Sequence, residues 1–304
     1  MFDERAAAER VRAGQQDGVP VTSPPWKREV TPPRLVLPAG ACDAHFHLIG
    51  PQRVFPLMAG HPFDYLAIGD ATLEERLQVM DVLGFDRGIH VQSMTYGYNC
   101  LPVLSSLLRA PDRLRGVVAV WPGISDAELD MLERCGVVGA RVCRGPEPPL
   151  DEAVIRRLCE RGWSVHYSLG GADDAWRQAI LATPGRYVLE HLGMAPAEHG
   201  TGGPGFRFVL DCLASGRCWV KLSTRTSAHD QAPFADLLPL TGALIERAPE
   251  RLLWGSDWPH VPYFRPMVDD TRLVDLVADW TSDPAVQRRI FVDNPAEVFN
   301  WPAA

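Results

Sequence analysis

The chain has 304 residues, 46% of them hydrophobic, and carries 30 lysines and arginines against 38 aspartates and glutamates, a net charge of −8. That length suits one large domain with a full core, and the acidic balance argues against nucleic acid or an anionic membrane as a partner. Seven cysteines without a C-x-x-C pair predict neither a zinc ribbon nor a disulfide framework, and point to reduced thiols in a cytoplasmic setting.

Residues 1–38 read differently from the rest. The opening MFDERAAAERVRAG is charged and lacks the apolar centre of a signal peptide. Pro20, Pro24, Pro25, Pro32, Pro33 and Pro38 then follow. This predicts a short helix or disordered piece and then an extended arm. Such an arm is either a mobile tail or a strap laid on its own domain or on a neighbour, so a homodimer is one possible consequence. No run of about 18 apolar residues predicts a membrane span.

From residue 39 to 304 the sequence predicts one domain. Eight short apolar runs alternate with helical patterns: Cys42–His47, Arg87–Gln92, Gly116–Trp121, Val137–Cys143, Trp163–Ser168, Arg186–His191, Cys218–Ser223 and Leu252–Asp257. Thr72 with Glu75, and Ser125 with Glu128, are capping boxes. Apolar stripes recur at Leu73, Leu77 and Met80, at Phe206, Val209, Leu210 and Leu213, and at Leu273, Leu276, Val277 and Trp280. Eight strands alternating with helices predict a (β/α)8 TIM barrel of the α/β class behind an N-terminal extended arm. An open doubly wound sheet is the rival, but it would place a glycine-rich phosphate turn after its first strand. Here that strand runs into His45-Phe-His47.

Strand side chains alternate, so His45 and His47 point to one side and Phe46 to the other. At the mouth of a barrel, two imidazoles on one side can share a metal or a polarised oxygen; alone, they are equally two loop histidines. His191 closes the sixth run and Asp257 the eighth. A carboxylate beside three imidazoles can take a proton from water, whereas alone Asp257 would read as a turn or cap residue. Together the three motifs predict one site, with His45, His47, His191 and Asp257 catalytic. A serine-hydrolase reading fails because no G-x-S-x-G follows a strand.

Six stretches carry a resemblance: CDAHFHLIGP at 42–51, DRGIHVQSMTYG at 86–97, APDRLRGVVAV at 110–120, VLEHLGM at 188–194, WVKLS at 219–223 and WGSDWPH at 254–260. The pattern resembles the amidohydrolase superfamily (amidohydrolase-related family 2), in the branch that contains 2-pyrone-4,6-dicarboxylate lactonase. The resemblance implies a hydrolase that opens a carboxylated lactone, pyrone-dicarboxylate-like or of a sugar-acid or muconolactone type, with water activated by Asp257. It also implies chemistry without a metal, although other members of the branch hold one divalent ion, often zinc. Those relatives carry a histidine near the end of the fifth strand, where this chain has Ser168; His166 lies two residues earlier and one layer deeper. The expectation is therefore no metal; if zinc binds, His45, His47, Asp257 and His191 are its candidate ligands.

Guanidinium forks match carboxylates, and Arg141 and Arg225 resemble the carboxylate-binding arginines of the branch. The second fourth-loop arginine of the branch has no counterpart at its usual spacing, where Arg144 is the nearest substitute; this puts a dicarboxylate substrate in question. Ser93, Tyr96, Tyr167 and His260 complete the predicted substrate-binding set, and each is equally readable as packing. The partner expected is a small anionic lactone. A zinc-dependent amidohydrolase or decarboxylase on the same barrel, and a barrel that binds a small acid without turning it over, are the alternatives.

Overall fold

The computed structural model describes residues 21–22, 24–61, 66–143, 151–169, 173–229, 231–261 and 266–301. All eight expected runs contain strands: β1 (Cys42–Phe46), β2 (Arg87–Val91), β3 (Leu114–Ala119), β4 (Val137–Cys143), β5 (Ser164–Ser168), β6 (Tyr187–Leu189), β7 (Cys218–Leu222) and β8 (Leu252–Trp254). Each strand pairs in parallel with the next, from β1 to β8. The intervening helices are α1 (Leu73–Leu83), α2 (Leu101–Arg109), α3 (Asp126–Arg134), α4 (Glu152–Glu160), α5 (Asp174–Leu181), α6 (Pro204–Ala214) and α7 (Leu238–Arg247), and α8 (Asp270–Trp280) follows β8. This is the (β/α)8 barrel the alternation predicted.

Local chemistry starts the helices where the sequence said it would. Thr72 and Ser125 each accept from the backbone N–H three residues on, while Glu75 and Glu128 reach back to the cap N–H. One face of each helix then packs on the strands: Phe206, Val209 and Leu213 of α6, and Leu273, Leu276, Val277 and Trp280 of α8, are buried. A second apolar layer fills the barrel itself. There Ile89, Val91, Val117, Val188, Trp219 and Leu253 meet Phe299 and Trp301 from the C-terminal segment, which plugs the end where the strands begin. No helix among the described residues is long and apolar enough to cross a membrane. Cys42, Cys100, Cys135, Cys159, Cys212 and Cys218 are free thiols.

The ring closes at the seam between β1 and the turn after β8. Phe46 bridges Trp258, His47 N donates to Trp258 O (2.7 Å), and Asp257 N donates to His45 O (2.8 Å). Side chains supply the rest. Asp43 Oδ1 accepts from Ser256 N and from His45 N, both at 3.0 Å, and Arg76 of α1 donates to its other oxygen. The Arg76 guanidinium also lies 4.6 Å over the Phe46 ring and 5.6 Å from that of Trp258. Gly255 lets the two chains approach this closely, since a Cβ there would stand 2.7 Å from His45 Cβ.

The pairing of β1 with β2 shifts register between Asp43 and Phe46, so β1 carries one extra residue. Unbroken alternation would leave Asp43 on the same side as His45 and His47. The bulge instead turns Asp43 out to Arg76, while the two imidazoles stay inside.

Residues 24–38 strap the outside of their own barrel. Arg34 N and Leu35 N donate to Asp275 Oδ1 (2.8 and 3.1 Å), and Thr31 N donates to Thr271 Oγ1 (3.1 Å), both partners lying on α8. Residues 1–20 lie outside the described residues.

Arg76 and Asp43 are fully buried. Removing one member of a buried pair strands the other's charge, which costs about 3–5 kcal/mol. Arg76→Leu is therefore expected to lower the urea midpoint by that much stability, and Arg76→Leu with Asp43→Asn to cost less than the two single changes added. Strict additivity in that cycle would show that the pair does not close the seam.

Candidate active site

The side chains expected at the mouth stand at or just beyond the strand ends. His45 lies on β1 and His47 one residue past it; His191 lies two residues past β6, and Asp257 three past β8. His191 opens a run of left-handed residues (φ 51° at His191, 50° at Leu192, 61° at Gly193 and 52° at Met194), and Asp257 has φ 64°. Non-glycine residues adopt this conformation at a cost, which persists only where the surroundings hold it.

The four groups converge. Asp257 Oδ1 lies 3.5 Å from His47 Nε2, 3.6 Å from His45 Nε2 and 3.9 Å from His191 Nε2. The two imidazoles of β1 meet Nε2 to Nε2 at 3.2 Å. His47 Nδ1 sits 2.7 Å from Val91 O; a carbonyl only accepts, so Nδ1 carries the proton and Nε2 turns a lone pair inward. His45 Nδ1 faces Lys221 Nζ at 3.0 Å. An ammonium only donates, so this contact keeps the His45 proton on Nε2, where it can be given to His47 or to Asp257. His191 Nδ1 is held by Ser223 Oγ at 2.9 Å.

Beneath these groups lies a buried charge cluster. Glu190 Oε2 accepts from Arg141 Nε (3.0 Å) and Nη2 (2.8 Å), and Arg141 Nη1 donates to Gln92 O (3.1 Å). Glu190 Oε1 has no hydrogen-bond partner and lies 3.7 Å from His45 Nδ1 and 4.0 Å from His166 Nδ1. Burial pushes the Lys221 ammonium down to about 8 even though Glu190 supports its charge. Burial also works against Glu190, yet Arg141 and then Lys221 bring its carboxyl down to about 2. The same contest runs at Asp257: burial opposes its charge, but Arg225, His191 and His47 hold the carboxyl well below the usual carboxylate range. Burial lowers His191 to about 4 and takes His45 well below its ordinary value. At neutral pH these two imidazoles are uncharged and both carboxylates ionised.

The predicted substrate-binding residues separate. Arg225 Nη1 donates to Asp257 Oδ2 at 2.9 Å, at the edge of the site. Arg141 pairs with Glu190 and is about as buried as Asp257. Ser93 Oγ meets Thr95 Oγ1 at 2.9 Å in the turn after β2. The Tyr96 hydroxyl accepts from Gly50 N (2.7 Å), tying the loops after β1 and β2. His260 Nε2 meets Asp270 Oδ1 at 3.1 Å, anchoring the β8 turn to α8. Tyr167 corrects the expectation: its hydroxyl meets Thr183 Oγ1 (2.7 Å) and its ring packs edge-on against Trp176. Alternation along β5 sends it to the helical layer and His166 to the interior. Arg144 lies outside the described residues.

Sequence reasoning missed Glu190 and Lys221. Both signals were present: Glu190 directly precedes His191, and Lys221 interrupts an apolar strand two residues from Ser223. A groove of about 480 Å³, lined by Leu107, Pro111, Val137, Trp163 and Asn300 among others, lies at the opposite end of the barrel, where the strands begin. Its position excludes it as the site of this chemistry.

His45, His47 and Asp257 could hold a divalent ion, their nearest ligand atoms all lying within 4.8 Å of one another; His45, Glu190 and His191 form a second such group. The lone pair of His47 fits a ligand's part. His45 would ligate through Nε2 only with its proton moved to Nδ1, against the Lys221 ammonium.

The chain is 33% identical over 297 residues to a 4-sulfomuconolactone hydrolase of Rhizobium radiobacter, covering 93% of this chain and 97% of that one. It is 29% identical over 296 residues to a 2-pyrone-4,6-dicarboxylate hydrolase of Comamonas testosteroni, covering 91% and 95%. An apo crystal structure from Agrobacterium tumefaciens superposes with a TM-score of 0.77 at 26% identity, over 91% of this chain and all of that one. The amidohydrolase family model matches residues 42–301, nearly the whole barrel with its three histidines and its aspartate, and the chain belongs to that family.

Proposed function

We propose that this enzyme opens a lactone bearing an anionic group, with Asp257 as the base that activates water. The observation that carries the reading is the approach of three imidazole Nε2 atoms to one oxygen of an ionised, buried carboxylate. Asp257 takes a proton from water, and the oxygen of that water bonds to the lactone carbonyl carbon. Negative charge develops on the carbonyl oxygen, where His45 Nε2–H donates. The ring C–O bond then breaks, and the departing oxygen takes the proton back from Asp257. One water is consumed and a ring-opened acid results.

Arg225 links substrate choice to this step. As it stands, the guanidinium is the leading influence that lowers the Asp257 carboxyl, and a base held so low takes protons weakly. A carboxylate or sulfonate on the substrate competes for the same fork. Drawn toward that anion, Arg225 leaves Asp257 Oδ2 and the carboxylate becomes more basic. The names of the relatives, a sulfomuconolactone hydrolase and a pyrone-dicarboxylate hydrolase, support a small anionic lactone as the partner.

The convergence of His45, His47 and Asp257 favours a second reading, a zinc-dependent hydrolase on the same barrel. A divalent ion held by these three would polarise the carbonyl and make bound water more acidic. Metal analysis separates the readings: about one equivalent of tightly bound zinc, with turnover lost on chelation, selects the second.

The direct test is a panel of carboxylated and sulfonated lactones, assayed for acid release with and without chelator. Asp257→Asn is expected to keep substrate affinity within a few-fold while turnover drops roughly 10²–10⁴-fold. Wild-type turnover in that variant removes the proposed base.

The neutral imidazoles also set a pH dependence of stability. His191 and His90 titrate near 4 and 3 in the fold, against 6.5 normally, mainly through burial. The unfolded chain therefore binds more protons below 6.5, and stability falls as pH drops through the window from 6.5 to about 4. Each pH unit of such a shift is worth about 1.4 kcal/mol, so His191 alone contributes on the order of 3 kcal/mol. Urea unfolding at pH 7 and pH 4.5 should show the loss; a flat profile would mean that these imidazoles are not held neutral.

A further inference from the structure

The structure assigns the N-terminal arm a part in the site: we propose that Trp26 is a positioning residue for Asp257, acting through Trp258. The inference rests on Asp257 being the base. Trp258 is the residue next to Asp257 and is fully buried. Its indole meets that of Trp26 edge-on, with ring centroids 5.1 Å apart and an angle of 61°, and the Arg76 guanidinium lies 5.6 Å from it. Trp26 itself is only 8% exposed. Arg28 fixes it from the solvent side, its guanidinium 5.0 Å over the indole while ion-paired to Glu75 at the start of α1. Further along, the arm is tied to α8 through Thr31, Arg34 and Leu35. The segment is therefore docked at both ends, with Trp26 over the seam.

Asp257 needs such support. Its φ of 64° is one that a non-glycine residue keeps only when its neighbours hold it. On the inner side, backbone bonds to His45 and from His260 do so. On the outer side, the indole of Trp258 is wedged between the arm and Arg76. Loss of Trp26 leaves that indole room to move, and its backbone moves with Asp257. A displacement of about 1 Å in a reacting group can cost about a hundredfold in rate, while the substrate's anion still finds Arg225.

The test compares full-length Trp26→Ala, Trp26→Phe and Leu158→Ala. Leu158 is a buried residue of α4, remote from the seam, and its variant controls for general destabilisation. Kinetics are run on whichever of 4-sulfomuconolactone and 2-pyrone-4,6-dicarboxylate the enzyme opens, and hydrogen exchange is followed in the segment 254–261. Trp26→Ala should lower kcat about tenfold or more with KM within about twofold, and should speed exchange at the Asp257 and His260 amides. Trp26→Phe should recover most of both. Leu158→Ala should do neither at a comparable loss of Tm. Unchanged exchange in 254–261, or a fall in kcat no larger than that of Leu158→Ala, overturns the proposal. If neither lactone is opened, the exchange result alone decides whether the arm holds the turn, and Asp257→Asn judges the base separately on whichever other lactone of the panel is opened.

Discussion

The seam between β1 and the turn after β8 is the constraint on which this molecule depends. Seven of the eight neighbouring strand pairs around the ring are joined by parallel ladders. The eighth junction is closed by one bridge, a few backbone bonds and the Asp43 carboxylate, with Arg76 bound to that carboxylate and stacked on Phe46. Asp257 lies at this junction, and so do His45 and His47. A regular ladder would have carried β8 on in extended form, alternating its side chains. Ending it at Trp254 lets the chain turn left-handed at Asp257, which brings the carboxylate over the imidazoles. The local break in sheet geometry and the chemistry have one cause.

The charges beneath the imidazoles follow from that placement. A buried carboxylate is costly unless compensated, and Glu190 is compensated twice, by Arg141 through two hydrogen bonds and by Lys221 through proximity. Lys221 in turn touches His45 Nδ1. Arg141 is thereby coupled to the imidazoles: it keeps Glu190 ionised, Glu190 supports the Lys221 ammonium, and that ammonium faces His45 Nδ1. Arg141, legible in the sequence as an anion clamp, is also one end of this charge chain.

How much was legible depended on whether the signal was periodic or tertiary. The eight strands could be read because apolar runs alternated with capped helices, and the capping boxes of Thr72 and Ser125 fixed two helix starts. His45, His47, His191 and Asp257 could be read because each ended such a run. The fate of Tyr167 followed from alternation once His166 was taken as the inward residue; its hydroxyl tempted an assignment that the parity of β5 forbids. Asp43 was illegible for the opposite reason. Parity alone puts it among the histidines, and only the bulge, set by how β1 fits β2, turns it outward. The partners of Glu190, Lys221 and Arg141 come from three different strands, β4, β7 and the end of β6. No local pattern pairs them, although an ionisable residue at an inward position of an apolar strand already marks a compensated site.

The electrostatics also explain how an acidic protein can hold an acid. The chain carries a net charge of −8, which repels an anion at long range. Within the site, however, Lys221, Arg141 and Arg225 face Glu190 and Asp257, with His45 and His191 neutral. Three cations against two carboxylates leave one positive charge in a low-dielectric pocket, where it acts far more strongly than the same charge in water. Of the three, Arg225 donates to Asp257 Oδ2. On the proposed mechanism, anion binding and base activation draw on the same guanidinium, so a neutral lactone that fits the pocket equally well would leave Asp257 restrained. Selectivity for a charged substrate then resides in the rate of the chemical step as much as in affinity.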